Sequence, residues 1–122
     1  MTVSYTIYHN PNCSKSRATL ALLEANNITP TIIEYLRNPP DAETLDQLLH
    51  LLGLEPRGLM RNKEEAYRSA DLDNPDKSRA ELIAAMVAHP QVIERPIVVK
   101  HDSNRGDQAV LGRPPENVEA LL

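Results

Sequence analysis

An α/β fold is predicted for this chain, and three observations predict it. Residues 3–8, VSYTIY, are β-branched and aromatic and roughly alternate, as a strand requires. Residues 14–26 carry Ala18, Leu20, Ala21, Leu22, Leu23 and Ala25, a plausible amphipathic helix. TIIEYL at 31–36 reads as a second strand. Strand, helix and strand in quick succession imply a βαβ unit with a parallel pair.

The breaks between these elements are equally legible. HNPN ends the first strand and NNITP ends the first helix. NPPDAETLDQLLHLLG then supplies Pro and Asp at a helix start and stops at Gly53. Leu45, Leu48, Leu49 and Leu52 share one face of that helix. From Glu55 to Pro75 the pattern is mixed, with short helical pieces and turns. SRAELIAAMVAHP opens with a capping box, Ser78 and Glu81, and stops before Pro90. Residues 41–89 therefore read as a mainly helical block. RPIVVK at 95–100 is a clean strand, DSNRGDQ a polar turn, and AVL at 109–111 a short strand that completes a hairpin. GRPPENVEALL opens a final helix. The order β-α-β, helical block, β-β-α is that of a thioredoxin-like fold with helices inserted between its halves. No repeat or linker interrupts it, and 122 residues fit one domain, 1–122.

Composition narrows the function. The core must be aliphatic, because there is no Phe or Trp. A net charge of −4 argues against a broad nucleic-acid or acidic-membrane surface. Nine of the 13 cationic residues are Arg, which permits a local basic pocket. One cysteine cannot form an intramolecular disulfide, in keeping with a reducing cytoplasm. Residues 1–10 lack the apolar core of a signal peptide, and no apolar run reaches the length of a membrane span. A soluble, cytoplasmic monomer is expected.

The single thiol, Cys13, stands in YHNPNCSKSRATL at the mouth of the first helix. A thiol is a nucleophile only as thiolate, and a helix N-terminus stabilises negative charge through its unpaired N–H groups. His9, Lys15 and Arg17 lie nearby, and Arg17 is spaced to face the same side of the helix as Cys13. A lone cysteine is more often a small buried hydrophobe. Here the polar, helix-opening setting reverses that preference.

An oxyanion also suits a helix N-terminus, and it wants further cations. Arg61 in LMRNKEEAY, Arg95 in ERPIVV and Arg113 in LGRPPE are the candidates. Each offers a permanently charged fork suited to tetrahedral oxyanions. Any one of them alone would be read as a solvated surface residue. Pro96 is a cis-proline candidate, because thioredoxin-like folds begin their third core strand with one. His50, His89 and His101 have no metal-ligand spacing with one another or with Cys13, so no metal is expected. No Gly-rich nucleotide loop is present, so no tightly bound cofactor is expected.

YHNPNCSKSRATL, PTIIEYLRNPP, LMRNKEEAY, HPQVIERPIVV and LGRPPE, in that order and at similar spacing, resemble the glutaredoxin-linked arsenate reductase family. The resemblance covers nearly the whole chain, as a shorter-chain member. It implies a thioredoxin-like core with a helical insertion. It implies that Cys13 attacks arsenate, that glutathione attacks the adduct as co-substrate, and that glutaredoxin resolves the mixed disulfide and releases arsenite. It implies that Arg61, Arg95 and Arg113 hold the oxyanion and that His9 helps to keep the cysteine ionised. Asn10, Ser14 and Arg17 are expected as supporting contacts. A single cysteine fits this scheme, since the resolving sulfur must then come from outside.

Two other readings stand beside it. One is a thiol reductase acting on another oxyanion or on a glutathione mixed disulfide, which needs Cys13 but not all three arginines. The other is a non-catalytic, Spx-like regulatory or partner-binding domain, which needs neither. The disulfide switch typical of Spx cannot operate here, because Ser16 occupies the second position of its Cys-x-x-Cys. The phosphatase-like arsenate reductases use Cys-x5-Arg and internal resolving cysteines. This chain has Cys13-x3-Arg17 and no second cysteine.

Overall fold

A computed structural model describes residues 2–122. They form two compact units, residues 2–38 with Arg95–Leu122, and Pro39–Glu94. The second unit corresponds to the helical insertion and runs beyond the expected 41–89 at both ends.

The first unit is a four-stranded sheet carrying helices. Strand β1 (Val3–His9) leads into helix α1 (Ser14–Ala25) and strand β2 (Thr31–Glu34); strands β3 (Ile97–Asp102) and β4 (Gln108–Leu111) follow after the second unit. The sheet order is β2-β1-β3-β4. β2 runs parallel to β1, while β3 is antiparallel to both β1 and β4. The mixed α/β architecture is thus the thioredoxin-like one expected. The last helix differs from expectation: Pro115–Leu121 is a 3-10 helix, not an α-helix. Its bonds run i→i+3 at both ends, the Asn117 amide donating to the Pro114 carbonyl at 3.0 Å and the Leu122 amide to the Glu119 carbonyl at 3.2 Å.

The core of this unit lies between the sheet, α1 and the C-terminal 3-10 helix. Ile7, Leu23, Val98, Val118 and Leu121 are buried together, with Tyr5, Leu20, Leu22, Ile28 and Val110 packed around them. Each fully buried aliphatic side chain contributes about 1.5–3 kcal/mol of apolar transfer. The Tyr5 hydroxyl donates to the Leu121 carbonyl at 2.9 Å, joining the end of the chain to β1. The β3–β4 turn is set by Asp102, whose Oδ1 accepts from the amides of Asn104 and Arg105 at 2.8 and 3.2 Å. Gly106 closes that turn at a φ of 81°.

The second unit is helical: α2 (Ala42–Leu52), a short α3 (Glu65–Ser69) and α4 (Arg79–Ala88), with 3-10 turns at Pro56–Leu59 and Pro90–Val92. Asp41 caps α2, its carboxylate accepting from the Thr44 amide at 2.8 Å, and left-handed Gly53 ends it. Ser78 and Glu81 form the full capping box on α4. α2 packs on α4, burying Leu45, Leu48 and Leu49 on one helix and Leu82, Ile83 and Met86 on the other. Among the described residues no helix is long and apolar enough to cross a membrane.

Candidate active site

The register of the sheet determines what meets at one of its ends. Tyr8 pairs with Ile97, and Ile97 pairs with Leu111. One step beyond this row the chain is at His9 on β1, Pro96 before β3 and Gly112 after β4. The loop to Cys13, Arg95 and Arg113 therefore share that end. Gly112 donates its amide to the Pro96 carbonyl at 2.8 Å, extending the ladder by one bond. The Arg95–Pro96 and Arg113–Pro114 peptides are both cis.

The loop HNPN delivers Cys13 to the N-cap of α1. Asn10 is buried and organises the turn. Its side-chain oxygen accepts from the Asn12 amide, and its carbonyl accepts from the Cys13 amide, both at 3.0 Å. Cys13 has extended backbone, φ −104° and ψ 123°, and its carbonyl accepts the Arg17 amide to start the helix.

The thiol is held below its ordinary pKa. Burial alone would push it up, but the amides of Ser16 and Lys15 and the Arg95 guanidinium together outweigh burial. The sulfur closes no cap hydrogen bond with ideal geometry, so the amides act chiefly as oriented positive charge. Nη1 of Arg113 lies 3.9 Å from Sγ and donates to the Arg95 carbonyl at 3.3 Å. Two arginines thus converge on the cysteine, and the charged state of Arg95 is in turn favoured. Burial opposes that charge, but contacts with Cys13 and Tyr35 more than compensate.

His9, expected to help keep the cysteine ionised, is joined to Ser16, the residue whose amide contacts the thiol. Its ring is 6% exposed and its Nδ1 lies 2.6 Å from the Ser16 hydroxyl. Burial lowers its pKa; Glu34 raises it and Arg17 lowers it. A neutral ring suits this geometry, with Nδ1 accepting the Ser16 proton while Ser16 Oγ accepts from the Asn10 amide at 3.0 Å. His9 therefore braces the loop through Ser16.

Ser14 and Arg17 lie on the exposed side of α1. Arg17 donates to the Pro11 carbonyl at 2.8 Å and so supports the loop from outside. Arg61 belongs to the second unit. Its Nη1 donates to Glu94 Oε1 at 2.8 Å, and its Nε lies 3.5 Å from Glu64 Oε1. Its backbone is fixed by a bridge between Met60 and Ile93 and by a 2.7 Å bond to the Val92 carbonyl. Among the described residues no cluster of His, Cys, Asp or Glu could hold a metal ion.

Several residues of the site were not singled out from sequence. Ser16 is fully buried and joins His9, Asn10 and Cys13; its position three residues after an N-cap is the signal that was available. Thr19 is buried, donating to the Lys15 carbonyl at 2.8 Å with the Gly112 carbonyl 3.3 Å away. Gly112 fills a gap that admits no side chain. A Cβ there would stand 2.6 Å from Thr19 Oγ1 and 2.9 Å from Pro96 Cγ. Tyr35, 1% exposed beside Arg95, carried no sequence signal beyond its strand.

The arrangement resembles known proteins. The model of the ArsC family matches residues 8–121. An arsenate reductase of Haemophilus influenzae is 48% identical over 121 residues, 98% of this chain and all of that one. An arsenate reductase of Escherichia coli is 40% identical over 117 residues, 96% of this chain and 79% of that protein. The solved structure of an arsenate reductase from Vibrio cholerae superposes with a TM-score of 0.91 at 50% identity, covering both chains completely.

Proposed function

Because the chain belongs to the ArsC family, we propose that it is an oxidoreductase that reduces arsenate to arsenite through Cys13, with glutathione and glutaredoxin as electron donors. The observation that carries the reading is the convergence of Arg95, Arg113 and the first amides of α1 on one thiol of lowered pKa. The same positive charge that favours a thiolate favours a tetrahedral oxyanion approaching it. The family resemblance adds Arg61 as a third oxyanion-binding arginine.

In this mechanism the Cys13 thiolate attacks arsenic, and an oxygen departs as hydroxide or, once protonated, as water. A glutathione thiol then replaces a second oxygen on the arsenic of that adduct, and the displaced oxygen leaves as water with the thiol proton. A glutaredoxin thiol then takes the glutathione sulfur as a mixed disulfide. The two external thiols supply two electrons and As(V) becomes As(III); water then cleaves the Cys13 sulfur–arsenic bond, its oxygen going to arsenic and its proton to sulfur, so that arsenite leaves with Cys13 restored as thiol. The chain's single cysteine supports outside resolution, since no internal sulfur can do it.

The test is arsenate-dependent NADPH oxidation coupled through glutathione reductase, glutathione and glutaredoxin. The wild-type chain is expected to turn over and Cys13→Ser to be inactive. Absence of wild-type turnover alongside a thiolate-rich Cys13 would move the assignment to another thiol substrate. Absence of turnover with an ordinary thiol would leave a binding domain.

A further inference from the structure

Strand β4 ends at Leu111, so Gly112 and Arg113 lie beyond the run of strand pairing that fixes the main chain before them. Three consecutive carbonyls there are taken up by side chains. Nδ2 of Asn117 donates to the Leu111 carbonyl at 3.1 Å and to the Arg113 carbonyl at 3.2 Å. Between them, the Gly112 carbonyl accepts from the Thr19 hydroxyl at 3.3 Å. The segment that bears Arg113 is thus gripped from α1 on one side and from the C-terminal 3-10 helix on the other.

Asn117 does not behave as a polar residue at a helix start usually does. Such a side chain accepts from the first amides of the helix. Asn117 donates instead, backwards, to two carbonyls that precede it. A carboxamide carries two N–H hydrogens, one for each carbonyl, whereas a hydroxyl could serve only one. Asn117 itself is exposed, so it is not there to fill the core. Its neighbour Val118 is fully buried and already anchors this turn, which lowers the entropy lost in ordering the amide. Arg113 gains from the grip. Its Nη1 lies 3.9 Å from Cys13 Sγ and donates to the Arg95 carbonyl at 3.3 Å. A guanidinium at the end of so long a side chain keeps its place only if its own main chain does.

We propose that Asn117 is a positioning residue: by holding the Leu111 and Arg113 carbonyls together, its side-chain amide fixes the main chain from which the Arg113 guanidinium reaches Cys13. This deepens the functional reading above and rests on Arg113 acting at the Cys13 sulfur, but not on arsenate being the substrate.

The experiment alkylates Cys13, the single thiol, with iodoacetate and with iodoacetamide at one pH, in the full chain without arsenate. Both reagents consume the thiolate, so the ratio of their rates cancels the thiolate fraction and reads the positive charge beside the sulfur. Wild type, Asn117→Ala, Arg113→Ala and the double variant are compared. Arg113→Ala is expected to lower the iodoacetate preference about two- to fivefold, and Asn117→Ala about twofold. In the Arg113→Ala background, Asn117→Ala is expected to change nothing, because the side chain it positions is gone. A wild-type ratio in Asn117→Ala, with a lowered one in Arg113→Ala, overturns the proposal and leaves the role of Arg113 standing. An equal fall in both backgrounds overturns it as well, since the amide would then act other than through Arg113. An unchanged ratio in Arg113→Ala would remove Arg113 from the thiol, and this proposal with it. Urea midpoints check that each chain is folded. Asn117→Leu, close in volume but without donors, repeats the reading where Asn117→Ala fails to fold.

Discussion

The Ser16 hydroxyl lies 2.6 Å from Nδ1 of His9, with both side chains buried at the base of the loop that carries Cys13. The same oxygen accepts the Asn10 amide. Ser16→Ala leaves a ring nitrogen and a main-chain N–H without this partner. A loss of about 1–3 kcal/mol is expected. Urea denaturation checks it: the midpoint should fall while the m-value stays constant. An unchanged midpoint would show that the pair contributes nothing.

His9 also makes stability depend on acid. Its folded-state pKa lies below the ordinary 6.5, chiefly through burial. The unfolded chain therefore binds more protons in the window below 6.5, and stability rises with pH there. The contribution is complete above pH 6.5 and is lost as pH falls toward the folded value. His9→Gln is expected to flatten this part of a plot of urea midpoint against pH. A slope that survives the substitution would assign it to other groups.

Cys13 acts with the same sign at higher pH. Its folded pKa lies below the ordinary 9.0; burial opposes the shift, and the Ser16 and Lys15 amides with Arg95 impose it. The folded chain releases this proton first, so stability rises with pH between the folded value and 9.0, and is lost as pH falls through the folded value. Cys13→Ser should remove the rise. In alkylation, wild-type Cys13 should react at pH values where a free thiol is mostly protonated.

Gly112 is predicted to tolerate no side chain. The Cβ of Gly112→Ala would come within 2.6 Å of Thr19 Oγ1 and 2.9 Å of Pro96 Cγ. Neither neighbour is a free side-chain end, since Thr19 is buried on α1 and Pro96 opens β3. A destabilisation of about 1–3 kcal/mol is expected, with slower Cys13 alkylation as Arg113 is displaced. Wild-type values of both quantities would show that the gap relaxes freely.

Ser78→Ala provides a contrast in the second unit. It removes the side-chain half of the α4 capping box, whose Ser78 hydroxyl accepts from the Glu81 amide at 3.2 Å. About 1 kcal/mol of stability should be lost. The alkylation profile of Cys13 should not move. A shift in that profile would link the capping box to the thiol.

The amino-acid sequence by itself determined the elements and their order. Its signals were local: β-branched strands, the Ser78–Glu81 box, the stop at Gly53 and the polar turn around Gly106. Each acts over a few residues, where propensity and capping decide. It also marked Cys13, as the only thiol and at a helix start. Boundaries drifted by one or two residues, and the last helix tightened to 3-10 behind its prolines. What tertiary structure decided is convergence. Arg113 approaches a sulfur 100 residues earlier because Tyr8, Ile97 and Leu111 align across three strands. That register comes from strand pairing over long sequence separation, which no short window contains. Burial likewise separates Ser16 from Ser14: both are small and polar on one helix, and only packing turned the first inward and left the second in solvent.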